Sequence, residues 1–408
     1  MGIASIVSAL SGYVVLILVA RGLPPDVNAD FLVFWSLLFG GFGVLGGIQQ
    51  ETTRAVGMSQ IAGTRPRGVR VLPVALLVAV ALAGLVAVAA PLWRPAMLPG
   101  QTGWAAAAVC LSWICYAGHL QVIGALAGRR QWSVNAVIIG GESALRLVLV
   151  AMALLIGAGL FGVEVASAAS VVLWFVVLAL SRRARRAAAA RGDDGWRVLL
   201  RRLLQAMLAS AGSAVLVVGF PTLLRATTDD ATWAGAAPLV LAISMTRAPL
   251  MLPLTAYQSV VISYFLDPPG RRSAALLKIV GAVGAVGAIG ALAAALLGPW
   301  LMVTFFGPEY RMSGLVLGAL TAASAVLAAL TVTGACVLAV GRHTAFATGW
   351  LAAAGVAVGV LLLPLTLDLR AVLALACGPL VGLFVHVAAL KPVLRDGARA
   401  RAEGPTAS

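Results

Sequence analysis

Three ionisable side chains stand deep inside long apolar stretches of this 408-residue sequence: Glu142, Arg146 and Arg247. A charged group in hydrocarbon is costly unless it faces protein or water, so position alone makes each a candidate for chemistry. On a helix, Asn135, Glu142 and Arg146 fall within about forty degrees of one another and form one polar stripe. Glu142 and Arg146 are four residues apart and can pair directly. Two roles stay open for Glu142: partner in a self-neutralised pair that locks its helix into a bundle, or a carboxylate that binds and releases a coupling ion. Arg247 has no acid within one turn of its own stretch, and Ser244, Met251 and Gln258 share its face within about sixty degrees. It therefore calls for water, a group from another helix or an anionic ligand. Pro249 and Pro253 lie away from that face, free backbone carbonyls and permit a bend. His119, with Ser112, Cys115 and Tyr116 near its face, is either a proton site or a satisfied interior histidine.

Other chemistries find no footing. Cys110, Cys115, Cys336 and Cys377 all lie in apolar stretches without a CxxC or Cys/His set, so they read as small buried side chains, and no metal ligand group is expected. The sequence holds no GxxxxGK[ST] and no polar domain large enough for a nucleotide, so no cofactor is expected. A net charge of +15 suggests nucleic acid, but the arginines sit in short clusters between apolar runs, without an aromatic-interleaved basic face. Nucleic acid is excluded on that placement.

The elements that must carry these residues are membrane spans. Some 61% of the residues are hydrophobic, 11% are charged and the mean hydropathy is +1.02, more apolar surface than a water-soluble fold could hide. Apolar windows of about twenty residues predict twelve helices, near 2–20, 31–48, 71–91, 104–127, 133–157, 164–181, 199–223, 235–264, 279–298, 314–340, 344–364 and 371–390. With the N-terminus in the cytoplasm, 22 of the 29 Lys and Arg residues fall on inner loops and five on outer ones. That bias predicts both termini in the cytoplasm, and one helix more or fewer would invert it downstream. The first stretch lacks the basic region and cleavage site of a signal peptide and reads as a helix; it opens almost at Met1, which leaves room for a start upstream.

The chain also reads as two halves. "GALAGRRQW" closes the fourth span and "CVLAVGRHT" the tenth, with Gly128-Arg129 and Gly341-Arg342 213 residues apart. Arg21 with Asp26 and Arg225 with Asp230 repeat an outer Arg followed by an acid five residues on. Six spans per half give parallel repeats, a transporter architecture with its site between lobes. The expected division is an N-terminal six-helix lobe at 1–181, a basic linker at 182–198, a C-terminal six-helix lobe at 199–390 and a disordered cytoplasmic tail at 391–408. The linker's arginines read as a topology anchor that touches anionic headgroups of membrane lipids.

Three segments carry a family resemblance. "LVARGLPPDVNADFLVFWSLLFGGFGVLGGIQQETTRAV" (18–56) resembles the first hairpin of polysaccharide transporters. "AGRRQWSVNAVIIGGESALRLVL" (127–149) fits their fourth-to-fifth span junction, and "VTFFGPEYRMSGLVLGAL" (303–320) their outer loop with an aromatic-Gly-x-x-Tyr element. Asp30-Phe31 stands where such proteins usually have Tyr-Gly. The chain thus resembles the polysaccharide flippase branch of the multidrug/oligosaccharidyl-lipid/polysaccharide (MOP) exporter superfamily. The resemblance implies an all-α, two-lobe bundle in the cytoplasmic membrane that flips a polyprenyl-diphosphate-linked oligosaccharide by alternating access. It implies as partners that lipid-linked cargo and the glycan polymerase or glycosyltransferases of the same pathway. Guanidinium forks match diphosphate oxygens, so Arg146 and Arg247 become expected substrate contacts, with Asn135 and Gln258 beside them and Arg54 at the cytoplasmic mouth. Glu142 and His119 become the expected ion-coupling groups. A multidrug or small-molecule antiporter of the same superfamily is the alternative, although cationic cargo calls for acids in the cavity. A membrane glycan polymerase or ligase is a further one, but the outer loops are short and gather no catalytic set. No enzymatic activity is expected.

Overall fold

The computed structural model describes residues 2–61, 68–98, 103–192, 194–247, 250 and 272–402. They form an all-helical chain: α1 Gly2–Gly22, α2 Pro25–Ile61, α3 Val71–Val88, α4 Ala90–Met97, α5 Gly103–Gly128, α6 Trp132–Leu155, α7 Gly159–Ala169, α8 Leu173–Leu180, α9 Arg182–Ala188, α10 Trp196–Val217, α11 Phe220–Ala226 and α12 Asp230–Trp233. After these come α13 Ala237–Arg247, α14 Arg272–Phe306, α15 Gly314–Ala339, α16 His343–Leu361 and α17 Leu367–Ala402. Ten helical segments are long and apolar enough to cross a membrane, and α1 and α13 supply two shorter apolar helices among the described residues. Every window expected from hydropathy is helical where its residues are described, save short breaks such as that before α11; most of 235–264 lies outside the described residues. Large apolar side chains such as Leu85, Leu180 and Phe384 point outward, as lipid-facing surfaces require.

The chain divides into two compact units, Met1–Ala237 and Pro238–Ser408. In the first, α2 is the central helix and packs along both α5 and α10. Glycines on α2 set the approach. A Cβ at Gly47 would stand 2.3 Å from the Met207 backbone nitrogen, and one at Gly43 would stand 2.8 Å from the Ala214 Cβ. Backbones can meet this closely only where side chains are absent, which is how membrane helices gain contact without a hydrophobic drive. Hydroxyl and amide groups fasten the same seam: Ser36 Oγ donates to the Val218 carbonyl at 2.8 Å, Thr222 to Ser36 Oγ at 2.9 Å, and Gln50 to Ser210 at 3.3 Å.

The span after α6 is broken. Between α7 and α8 lies a single 3-10 turn, Ser170–Val172. Ser167 Oγ donates to the Val163 carbonyl at 2.8 Å and Ser170 Oγ lies 3.1 Å from the Ser167 carbonyl. Such local hydroxyl bonds compete with the helical ladder and distort it.

The basic linker is folded rather than loose. Residues 68–71 pair with 190–192 and Asp194 in an antiparallel strap: Gly68 N–H to the Gly192 carbonyl at 3.1 Å, Gly192 N–H to Val69 at 3.0 Å and Val71 N–H to Ala190 at 3.1 Å. Ala184 and Ala187 of α9 are fully buried against α5, and Gln121 Nε2 donates to the Ala187 carbonyl at 3.2 Å.

The second unit is built on α15, packed against α14 and α17, with α16 lying along α17. His386 of α17 is fully buried; its Nδ1 stands 3.3 Å from Thr333 Oγ1 and its Nε2 3.3 Å from the Phe346 carbonyl. A Cβ at Gly349 would lie 2.3 Å from that ring, so glycine there is what admits the histidine.

One internal repeat is visible in atomic detail. The α5–α6 and α15–α16 turns share a left-handed residue, Arg130 (φ 56) and Gly341 (φ 76). Next come Gln131 (φ −88, ψ 63) and Arg342 (φ −89, ψ 62). Their N–H groups reach back to Leu126 at 2.8 Å and Val337 at 3.1 Å. Equivalent residues are therefore 211 apart. The 213-residue spacing of the two Gly-Arg pairs aligns letters two positions out of register with backbone conformation.

The seam makes a prediction. Gly47→Val should cost about 1–3 kcal/mol by overpacking, whereas Gly46→Val, with open space around it, should change stability by less than about 0.5 kcal/mol. Thermal unfolding of both purified variants in detergent checks this; equal losses would mean that backbone approach is not what α10 requires.

Candidate functional site

The polar stripe on α6 is buried as a unit. Asn135, Glu142, Ser143 and Arg146 all face inward. Glu142 and Arg146 form the ion pair that their four-residue spacing anticipates, both nearly inaccessible. The broken span supplies the third member: Ser170 Oγ donates to Glu142 Oε1 at 2.7 Å and accepts from Arg146 Nε at 3.3 Å. The 3-10 turn is what places that hydroxyl. A carboxylate in hydrocarbon with two donors, and a guanidinium with two acceptors, is the arrangement that lets a buried pair persist.

An aromatic ladder completes the site. Phe31, Trp35 and Phe39 follow at four-residue intervals on α2, so they stack along one face, with centroids 5.7 and 4.3 Å apart. Phe39 meets Phe42 at 5.3 Å, Phe42 stacks on Tyr116 at 3.8 Å, and Tyr116 on His119 at 4.8 Å. The Arg146 guanidinium lies 4.6 Å from the Phe39 centroid and 5.9 Å from that of Trp35. A cation over such faces gains up to about 2 kcal/mol when desolvated. His119 and the Glu142–Arg146 pair, picked out separately in the sequence, are thus joined through α2.

The other candidates lie elsewhere. Asn135 Nδ2 donates to the Ile123 carbonyl at 3.2 Å and ties α6 to α5. Arg54 lies within α2, and its guanidinium grips Glu51 through two bonds at 2.6 and 2.8 Å, with Asp194 at 3.8 Å. Asp194 also pairs with Arg202, so Arg54 belongs to an ion network at the linker end. Arg247 closes α13 in the second unit and is buried, 6% exposed. Gln258 lies outside the described residues. Arg225, one of the arginines expected on the outer side, is buried; it pairs with Asp230, donates to the Thr228 carbonyl at 3.1 Å and stands over the Trp233 ring.

Three features escaped sequence reasoning. Glu164 is a further acid buried inside a span, 4% exposed. The expected span began at that residue, whereas the helix begins at Gly159. The aromatic ladder had a signal in the four-residue spacing of Phe31, Trp35 and Phe39. Ser170 had none, because its partners come from another helix.

The pair generates a test. Glu142→Gln leaves a buried cation poorly compensated and should cost about 3–5 kcal/mol, with a sharp fall in membrane abundance. Joining it to Arg146→Gln should restore abundance, read by immunoblot of membranes. Low abundance in the double variant would refute mutual neutralisation as the reason for the pair.

No protein-family model matches the chain. In solved structures its fold is that of MOP-superfamily transporters. An outward-facing multidrug resistance MATE family transporter superposes with a TM-score of 0.67 at 18% identity, covering 100% of this chain and 95% of that one. An inward-facing multidrug resistance MATE family transporter gives 0.65 at 17%, covering 100% and 96%. A MOP superfamily transporter from Pyrococcus furiosus, described by a binding pocket of reverse polarity that suggests a different function, gives 0.64 at 17%, covering 100% and 96%. Among curated proteins, the uncharacterized protein Rv3630 of Mycobacterium tuberculosis is 37% identical over 391 residues, covering 95% of this chain and 90% of the relative. The uncharacterized protein Rv1510 of the same organism is 37% identical over 395 residues, with the same coverage. The chain belongs to the family of Rv3630 and Rv1510, carried on a MOP-superfamily fold.

Proposed function

We propose that this protein is a transporter that flips a polyprenyl-diphosphate-linked oligosaccharide across the cytoplasmic membrane for cell-surface polysaccharide biosynthesis, with both termini in the cytoplasm. The observation that carries the reading is the charge of the spans. Two arginines, Arg146 and Arg247, are buried in them; Glu142 is already neutralised by Arg146, which leaves Glu164 as the acid that stands against Arg247 in the balance. An anionic headgroup is the cargo that buried guanidinium groups favour, because their forks suit diphosphate oxygens. The segments resembling polysaccharide transporters and the MOP fold support the same class. Alternating access between an inward-open and an outward-open state is the mechanism the fold suggests, with Glu142 or His119 as the group through which an ion gradient acts. Partner enzymes are those that build the glycan on its lipid and polymerise it afterwards.

A second reading is export of small cations. The multidrug transporters that share the fold favour it, as does the ladder of Trp35, Phe39, Phe42 and Tyr116, whose faces suit cations.

Reconstitution in vesicles separates the two. A fluorescent polyprenyl-diphosphate glycan should change leaflets, and Arg247→Ala should slow that flipping by about tenfold or more, the loss of one charge-assisted contact. Its membrane abundance should change far less. Arg247→Lys should recover little, because a point charge lacks the fork. Ethidium efflux without glycan flipping would establish the second reading instead.

A further inference from the structure

The ion network at the linker end of the first unit has one weak link. On α2, the buried Glu51 grips Arg54 through two hydrogen bonds at 2.6 and 2.8 Å. On the far side, Asp194 of the linker pairs with Arg202 of α10. The contact that crosses from α2 to the linker is Arg54–Asp194, and at 3.8 Å it is too long for a hydrogen bond. Its side chains are 42% and 30% exposed, where water and salt weaken an ion pair.

Parting that contact leaves no charge bare. Arg54 keeps Glu51 and Asp194 keeps Arg202, so the penalty of an uncompensated charge does not arise. The Glu142–Arg146 pair is the opposite case, because separating it would strand both charges in the protein interior. One pair is built to stay closed, the other to open and close.

What Arg54–Asp194 fastens is the strap. Val69 N–H donates to the Asp194 carbonyl at 3.3 Å, and Arg191 Nη1 donates to the Gly68 carbonyl at 3.2 Å. A Cβ at Gly68 would stand 2.4 Å from the Gly192 carbonyl oxygen, so the two segments meet there backbone to backbone. Asp194 thus belongs to the strap through its main chain and to the ion network through its side chain. Drawing its carboxylate away from α2 pulls on the strap as well.

Asp194 presents a single carboxylate to Arg54. A diphosphate carries more charge, and its oxygens match a guanidinium fork, so it competes for the same arginine on favourable terms. We propose that Arg54 and Asp194 form an ionic clasp, in which the Asp194 carboxylate stands in for an anionic headgroup until a diphosphate displaces it and loosens the strap. The clasp rests on the cargo proposed above and adds how the protein senses that cargo.

Hydrogen exchange of the full chain in detergent, read by mass spectrometry on peptides covering 68–71 and 190–194, tests this. Farnesyl diphosphate is the probe and farnesol its phosphate-free control. Farnesyl diphosphate should speed exchange of both peptides about two- to fivefold, the loss of one half-exposed ion contact, and farnesol should not. D194N should exchange that fast without ligand and respond no further. D194E keeps the charge and should restore slow, ligand-sensitive exchange, while R201Q removes an exposed charge from α10 outside the network and should match wild type. A wild-type strap that farnesyl diphosphate leaves unchanged, an equal response to farnesol, or wild-type exchange in D194N would each overturn the clasp. Failure of the cargo reading shows elsewhere, in vesicles where the glycan keeps its leaflet. A protein that flips the glycan while its strap ignores farnesyl diphosphate loses the clasp alone.

Discussion

A carboxylate and a guanidinium can enter hydrocarbon only as partners, and the contact between Glu142 and Arg146 organises much of the first unit around that constraint. The pair needs further donors and acceptors, which the 3-10 turn at Ser170 provides. It needs apolar surroundings that tolerate a cation, which Phe39 and Trp35 provide. Those rings belong to α2, so the central helix, α6 and the broken span are committed to one arrangement. A distortion of the backbone, a run of aromatics and a buried charge are three consequences of one electrostatic requirement.

Contact between the remaining helices follows the rule for a solvent that is itself oily. Without a hydrophobic drive, association relies on close backbone approach and on hydroxyls and amides that find partners across the seam. Gly43 and Gly47 with Ser36, Gln50, Ser210 and Thr222 do this between α2 and the α10–α11 segment. Gly349 with His386 and Thr333 does it in the second unit. Each of these polar groups is placed where its partner is, and the outward faces are left to lipid.

Much of this was legible in the sequence, and the physics explains which parts. Span positions follow from length and apolarity, because a bilayer fixes both. The Glu142–Arg146 contact follows from helical spacing, a local property. Ser170 and the Arg146–Phe39 stack depend on how helices face each other, which spacing along one helix cannot reveal. The repeat was recognisable by its Gly-Arg letters but misaligned by two residues, since left-handed backbone is the true marker and Arg130 occupies it without being glycine. The linker's string of arginines concealed Ala184 and Ala187, whose three-residue spacing marks a helix face and a docking surface.

The seam on α2 also bears on biogenesis. Gly47 leaves the ribosome about 160 residues before Met207, the residue whose backbone fills its groove. At a synthesis rate of about 5–20 residues per second, that interval is on the order of ten to thirty seconds. Throughout it the glycine face of α2 sits in the bilayer covered by lipid or by the insertion machinery. The central helix is among the first to be made and among the last to be finished, so the nascent first unit must pass through a partly assembled state before α10 closes it.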